Sequence, residues 1–153
     1  MNISRRDLGL LLPTLASVAS AQQTVAPAAP KPAGAKPVVL PSKLYHTEEI
    51  PYNGDEKKQG RRILLGTTHT GFNVEVHETI LGPGEISHPP HQHVNEEIIV
   101  IVEGTIEAFV NGKTDRAAAG SVSFFASNDL HNFKNIGAGH CRYYVIELRG
   151  DAA

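Results

Sequence analysis

Histidines are the residues through which this chain is best equipped to do chemistry, because imidazole can bind a metal ion or move a proton near neutral pH. There are eight in 153 residues, and three lie in the short segment His88-Pro-Pro-His91-Gln-His93. His91 and His93 are two residues apart, so on a strand they share one face, and Glu97 has the same parity if the strand continues. Two imidazoles and a carboxylate on one face outline a metal site. His131, at the start of a later β-rich run, is a candidate fourth ligand.

The scaffold that must position these residues is predicted to be all-β. From residue 61 onward, runs rich in β-branched and aromatic residues alternate with Gly, Asn and Pro. The predicted strands are 61–68, 72–81, 97–103, 105–110, 121–125, 131–136 and 141–149. Asn111-Gly112 is typical of a two-residue hairpin turn, since both positions need positive φ. Seven or more short strands in roughly ninety residues, with no sustained helical period, predict a sandwich or barrel.

The N-terminal region is predicted to direct export. Residues 1–21 have a basic start, an apolar stretch and small residues at the end, which is typical of a cleaved signal peptide. Residues 4–8 resemble the twin-arginine export motif, although an ordinary secretory signal is the alternative. The Pro/Ala-rich segment 22–41 is predicted to be an extended leader, and the folded domain is expected over 42–150. A periplasmic or secreted protein without a stable membrane insertion follows from this interpretation.

Composition excludes several classes of function. Fourteen Lys and Arg against sixteen Asp and Glu give a net charge of -2, which argues against a nucleic-acid partner. A single cysteine, Cys141, excludes an internal disulfide framework and a CxxC-type zinc or redox site, and we expect it to be buried and inert. The basic run from Lys57 to Arg62 is interpreted as a solvated loop, with phosphate binding as the weaker alternative.

The remaining histidines divide by their surroundings. In 72–81, Glu75 and His77 share a polar face, whereas the opposite face is mostly apolar and is expected to pack in the core. His77 would then point outward. If the polar face lined the barrel instead, His77 or Glu75 would become a general acid/base candidate. His88, between two strands and followed by two prolines, is expected to shape the approach to His91, and His46, His69 and His140 are expected in surface loops.

Two motifs together resemble those of the cupin superfamily. The first is His91-Gln-His93, then Glu97, then Gly104, with the leading glycine, Gly84, one residue out of place. The second spans Gly120 to Asn135 and includes His131. Its usual proline and glycine positions are taken by Ala126 and Asn128. Since Asn tolerates a left-handed backbone better than other non-glycine residues, the turn before His131 is expected to survive.

The resemblance, which covers about residues 60–149, implies a single-domain double-stranded β-helix, or jelly roll. It also implies that His91, His93, Glu97 and His131 surround one divalent metal ion in the barrel mouth. Mn or Fe is favoured, with Ni, Cu and Zn left open. A homodimer is implied as well, often formed by exchange of N-terminal strands, for which 42–50 is the candidate here.

Two functions follow as hypotheses. The first is a small metalloenzyme acting on an oxygen-rich small molecule, as a dioxygenase or as a Lewis-acid isomerase or lyase, with Glu97 as a possible acid/base group. The second is an exported cupin module that binds a metal or a ligand without turnover. The sequence does not identify a substrate.

Overall fold

The computed structural model describes residues 38–149, and within them the regular secondary structure is almost entirely β-strand. The elements are a 3-10 turn at Thr47–Glu49 and the strands β1 (Asn53–Gly54), β2 (Lys58–Thr67), β3 (Asn73–Leu81), β4 (Glu96–Glu103), β5 (Thr105–Val110), β6 (Lys113–Ala118), β7 (Val122–Phe125), β8 (His131–Asn135) and β9 (Cys141–Arg149). The predicted all-β class is confirmed. The predicted signal peptide, 1–21, and most of the predicted leader, 22–41, lie outside the described residues.

Two antiparallel sheets face each other. The larger has the order β1-β2-β3-β9-β4-β7 and the smaller the order β6-β5-β8. Isolated bridges from Ile86 to Lys134 and from His91 to His131 lay the segment before β4 along the edge of β8. This arrangement is the jelly roll expected from the resemblance.

The hydrophobic core lies between the two sheets. Alternate residues of the central strands point into it, as the period of two in a strand requires. On β9 these are Cys141, Tyr143 and Val145, all nearly inaccessible to solvent. Ile99 of β4 lies beside Val145 in the same sheet, and Ile106 joins the core from β5 of the other sheet. The prediction that Cys141 is buried is confirmed.

Two predicted turns are present. Asn111 and Gly112 have φ of 47° and 84°, and the flanking register pairs Val110 with Lys113, so this is the two-residue hairpin expected from Asn-Gly. Asn128 has φ of 63°. The left-handed turn before His131 is therefore kept with asparagine in the position where the resemblance leads one to expect glycine.

Two local predictions are wrong. The basic run is not a loop, because Lys58 begins β2 and the strand continues through Arg62. Residues 42–50 contain a 3-10 turn at Thr47–Glu49 and form no strand. The turn is held in place by the Arg61 guanidinium, which donates hydrogen bonds to the carbonyl oxygens of Thr47 and Ile50.

A buried ion cluster on the outer face of the large sheet makes this attachment possible. Glu78, on β3, is fully buried, and its carboxylate accepts hydrogen bonds from Arg61 Nε at 2.6 Å, Tyr52 at 2.9 Å and Arg142 at 3.0 Å. The Arg61 guanidinium also lies 4.2 Å from the centre of the Tyr52 ring. A carboxylate can be buried here because two cations and a phenol satisfy it.

No helix within residues 38–149 is long and apolar enough to cross a membrane.

Candidate metal centre

The four predicted ligands come together at one end of the space between the sheets. Glu97 is on β4, His131 is the first residue of β8, and His91 pairs with His131 through two backbone hydrogen bonds. His93 lies in the bend between the His91 bridge and β4, so it is not on a strand. The parity argument that placed it beside His91 therefore does not explain the arrangement.

The ring contacts show how tight the cluster is. The ring centroids of His91, His93 and His131 are 4.8 to 5.0 Å apart, pair by pair. One ligand atom from each of the three lies within 4.8 Å of the others. Glu97 closes the group, with Oε1 3.0 Å from His93 Nε2 and Oε2 3.4 Å from His131 Nε2.

Backbone carbonyls fix the tautomers of two imidazoles. Nδ1 of His93 lies 3.0 Å from the Asn95 carbonyl oxygen, and Nδ1 of His131 lies 2.7 Å from that of Asp129. Because a carbonyl oxygen can only accept a hydrogen bond, each Nδ1 carries the proton. In its neutral form each ring presents the Nε2 lone pair to the centre of the cluster, where it could bind a metal ion, whereas only the protonated ring can donate from Nε2 to Glu97.

The donor set fits a divalent metal ion. His91 Nδ1 and His131 Nε2 are buried and have no hydrogen-bond partner among the described residues. Buried polar atoms are normally satisfied, so atoms left without a partner in such a cluster suggest a bound group. Imidazole nitrogen and carboxylate oxygen are the ligands that first-row divalent ions accept. The cluster of His91, His93 and His131 therefore fits a metal site.

The ionisation of Glu97 is also consistent with a metal site. Burial alone raises the pKa of its carboxyl, but the imidazoles of His131 and His93 outweigh burial and lower the pKa to about 2. The same contact raises the pKa of His93. Glu97 is thus ionised at neutral pH, as a carboxylate ligand must be.

His88 lies beside the cluster without completing it. Its ring centroid is 3.8 Å from that of His91 and 6.2 Å from that of His131. Burial lowers the pKa of His88 to about 4, so the ring is neutral at physiological pH.

His46, His69 and His140 are exposed loop residues, as predicted.

The orientation of His77 reverses the expectation for β3. The polar face of this strand points into the barrel, and His77 and Thr79 line the same cavity as the four predicted ligands. His77 Nδ1 lies 3.6 Å from Glu75 Oε1, and Glu75 is bonded to Arg62 at 2.9 Å. The alternative interpretation of this strand, with its polar face inside, is the one the structure adopts for His77. Glu75 is on the same face of β3 but is not among the residues that line the cavity.

Other cavity residues were missed by the sequence patterns. Glu147, on β9, is the direct cross-strand neighbour of both Glu75 and Glu97, so three carboxylates stand abreast on one face. Asn95 donates a 2.7 Å hydrogen bond to Glu147. The alternation of β9, read against Cys141 and Tyr143 as inward residues, would have placed Glu147 inside as well.

The cavity itself is small, and its wall combines polar and apolar side chains. Its volume is about 250 Å³, and its wall includes Tyr143, Phe133, Ser87 and Lys58 as well as the cluster. Ligand cavities for larger molecules are commonly about 300 to 1,000 Å³. A molecule bound here should therefore be small.

Residues 77–147 match a family model described as a Cupin domain. This segment contains all four predicted ligands. Together with the structural neighbours below, the match supports the cupin superfamily. No curated protein matches the sequence significantly.

Several solved structures have the same fold. KdgF from Halomonas sp. is 15% identical with a TM-score of 0.60, over 72% of this chain and 97% of that protein. A predicted oxalate decarboxylase from Thermotoga maritima is 20% identical with a TM-score of 0.60, over 69% and 98%. The polyketide cyclase RemF from Streptomyces resistomycificus is 19% identical with a TM-score of 0.57, over 73% and 87%. At these identities the likeness establishes the cupin-type fold and no activity.

Proposed function

We propose that this chain is a member of the cupin superfamily and a small metalloenzyme acting on an oxygen-rich small molecule. One observation carries the proposal. The three-histidine cluster and Glu97 open onto a cavity that also holds a titratable group outside that cluster, His77, which lies close to the carboxylates of Glu75 and Glu147. A site built only to hold a metal has no need of such a group.

The chain's own residues would hold the ion through His91, His93, Glu97 and His131. Three neutral imidazoles and one carboxylate leave a 2+ ion with a net charge near +1 and room for further oxygen ligands. When bound, the ion would polarise a carbonyl, hydroxyl or enolate oxygen. Mn or Fe is our preferred metal, with Ni, Cu and Zn as alternatives.

Proton transfer is assigned to His77, with Glu75 as its positioning residue. Imidazole titrates near neutral pH, which suits a group that must both take up and release a proton. Glu75 Oε1 lies 3.6 Å from His77 Nδ1, which is longer than a hydrogen bond, so Glu75 would orient the ring only after a small approach of the two side chains. Arg62 holds Glu75 at 2.9 Å. Glu97 is the alternative acid/base group, but its low pKa and its contacts with two imidazoles favour a role as a ligand.

The proposal is tested with full-length chain loaded with Mn or with Fe and offered phenols, enediols and hydroxy acids. Dioxygen consumption detects oxidation, and deuterium uptake from solvent, followed by NMR, detects isomerase or lyase chemistry. His77→Gln should lower turnover at least about tenfold with metal content unchanged, because general acid–base catalysis typically contributes a hundredfold or more. The exposed His69→Gln is the matched control. A loaded chain that turns over none of these classes would favour the non-catalytic binding module.

Export in the folded state is part of the proposal. Affinity for divalent ions rises from Mn to Cu, so a site intended for Mn or Fe would be lost to Cu if the chain folded outside the cytoplasm. Folding first and crossing by the twin-arginine route would preserve the cytoplasmic metal. If a chain redirected to an unfolded-export route acquires the same metal, this reasoning is wrong.

We also propose a homodimer formed through the outer face of the large sheet. Val122 and Phe124, on the edge strand β7, are 63% and 58% exposed, and they pair with Val100 and Ile98 of β4. Contiguous apolar side chains on an outer face are typical of interaction surfaces. Phe124→Glu should convert a dimer to a monomer in light scattering, and a monomeric wild-type chain would refute the proposal.

A further inference from the structure

Lys58 brings a positive charge to the wall of the cavity. It is the first residue of β2 and the register partner of Leu81, a fully buried core residue, so its side chain is on the inner face of the sheet. Lys58 is exposed at the end of the strand, and its ammonium donates a hydrogen bond to the carbonyl oxygen of Ser87, in the segment that pairs with β8. Both Lys58 and Ser87 line the cavity that contains the histidine cluster.

This ammonium lacks a carboxylate partner. No Asp or Glu among residues 38–149 lies within ion-pair distance of Lys58. The acids of the cavity are already engaged, since Glu97 contacts His93 and His131, and Glu147 accepts from Asn95. An ammonium has three donors, and the Ser87 carbonyl uses one of them. Two N–H donors of Lys58 therefore remain without a partner among the described residues, and they are available to water or to a ligand.

We propose that Lys58 is the anion-binding residue of this cavity and that its ligand is a small carboxylate. The carboxylate would accept hydrogen bonds from Lys58, and a second oxygen of the same molecule would reach the cluster of His91, His93 and His131. The second contact rests on the proposed metal centre, whereas the first does not. The cavity of about 250 Å³ limits the ligand to a short molecule.

Charge complementarity supports a carboxylate over a neutral ligand. Lys58 is the one Lys or Arg side chain on the described cavity wall. A metal ion bound by the cluster would add a net charge near +1 at the other contact. Glu97 is already counted in that charge, and Glu147 is the other carboxylate on the described cavity wall. The two positive centres outweigh Glu147, so the metal-loaded cavity attracts anions. Two residues of the basic run therefore have different roles. Arg61 forms an ion pair with the buried Glu78, whereas Lys58 lines the cavity.

The test compares binding of malonate with that of its neutral diamide, malonamide, by calorimetry, on full-length chain both metal-free and loaded with Mn. Lys58→Gln keeps a donor for the Ser87 carbonyl and removes the charge. It should weaken malonate binding about ten- to a hundredfold, as expected for a lost hydrogen bond between charged groups, and leave malonamide binding unchanged. Lys58→Arg should retain most of the affinity.

Lys57→Gln is the matched control, because Lys57 precedes Lys58 directly but lines a different, shallow surface depression. It should bind malonate as the wild-type chain does. The proposal is overturned if Lys58→Gln binds malonate normally, if Lys57→Gln loses as much affinity, or if the wild-type chain prefers malonamide or does not discriminate. If Lys58→Gln fails to fold, the proposal stands or falls on the malonate preference of the wild-type chain and its retention in Lys58→Arg.

The failure of this inference can be told apart from the failure of the proposed metal centre. A chain that binds no metal but shows the Lys58-dependent preference for malonate refutes the metal centre alone. A chain that binds metal without that preference refutes the role of Lys58 alone.

Discussion

Replacing Glu78 by Gln should be among the most destabilising single changes in the described part of the molecule. The carboxylate is fully buried, and its charge balances Arg61, whose side chain is 11% exposed, and Arg142, which is 33% exposed. Gln keeps the volume but leaves a nearly buried guanidinium without a counter-ion. Breaking a buried ion pair in this way typically costs about 3 to 5 kcal/mol. Because Arg142 is partly solvated, we expect the lower end, about 3 kcal/mol.

The assay is thermal unfolding of metal-free protein, followed by circular dichroism. For a domain of this size, 1 kcal/mol corresponds to about 4 °C in Tm, so Glu78→Gln should melt about 12 °C below wild type. Glu103→Gln is the matched control. Glu103 contacts the same Arg142 at 3.5 Å but is 61% exposed, and an exposed ion pair contributes less than about 1 kcal/mol.

The pH dependence of the stability difference between wild type and Glu78→Gln tests the same prediction independently. Burial raises the pKa of Glu78, but the hydrogen bonds from Arg142, Tyr52 and Arg61 outweigh it and hold the pKa below its usual value of 4.5. A carboxyl with a lowered folded pKa contributes stability above its unfolded pKa and loses it as the pH falls. The gap between wild type and Glu78→Gln should therefore narrow as the pH drops below about 4.5. A variant as stable as Glu103→Gln, or a gap that widens in acid, would refute the reasoning.

Three further outcomes follow from single positions. Gly104→Ala should lower Tm by at least several degrees, because φ is 82° and a Cβ would lie 2.8 Å from the Cα of Cys141; an unchanged melt would contradict this. Asn128→Val should destabilise by about 1 to 2 kcal/mol in urea unfolding and Asn128→Gly by much less, since φ is 63°. Glu97→Gln should weaken Mn binding by at least tenfold in a competition titration while the β-type circular dichroism is retained, because a charged ligand is lost and the fold is not.

The cluster of His91, His93 and His131 could be expected from the sequence because two short motifs resemble those of the cupin superfamily. His91 and Glu97 flank a short loop, and the strand that begins at His131 follows a turn that Asn128 can form. The hairpin at Asn111-Gly112 was also predictable from a short pattern. Patterns of a few residues carry this information without reference to distant parts of the chain.

The orientation of β3 could not be predicted, because hydrophobicity indicates the inside only when the inside is apolar. In this barrel β3 lines the cavity with the polar side chains of His77 and Thr79, while its outer face buries Glu78. The basic run was misinterpreted for a related reason. Arg61 is neutralised by Glu78, seventeen residues away, a contact that depends on the pairing of β2 with β3. Such partners become visible only once the strands are paired.

The central claim is that His91, His93, Glu97 and His131 hold one divalent metal ion, and the metal content of purified protein tests it most directly. Full-length chain isolated without added metal is analysed by elemental mass spectrometry beside His91→Ala and the control His140→Ala, which changes an exposed loop histidine. The account predicts about one equivalent of Mn or Fe in wild type and in His140→Ala, and little or none in His91→Ala. Equal metal content in all three chains, or none in wild type, would contradict it.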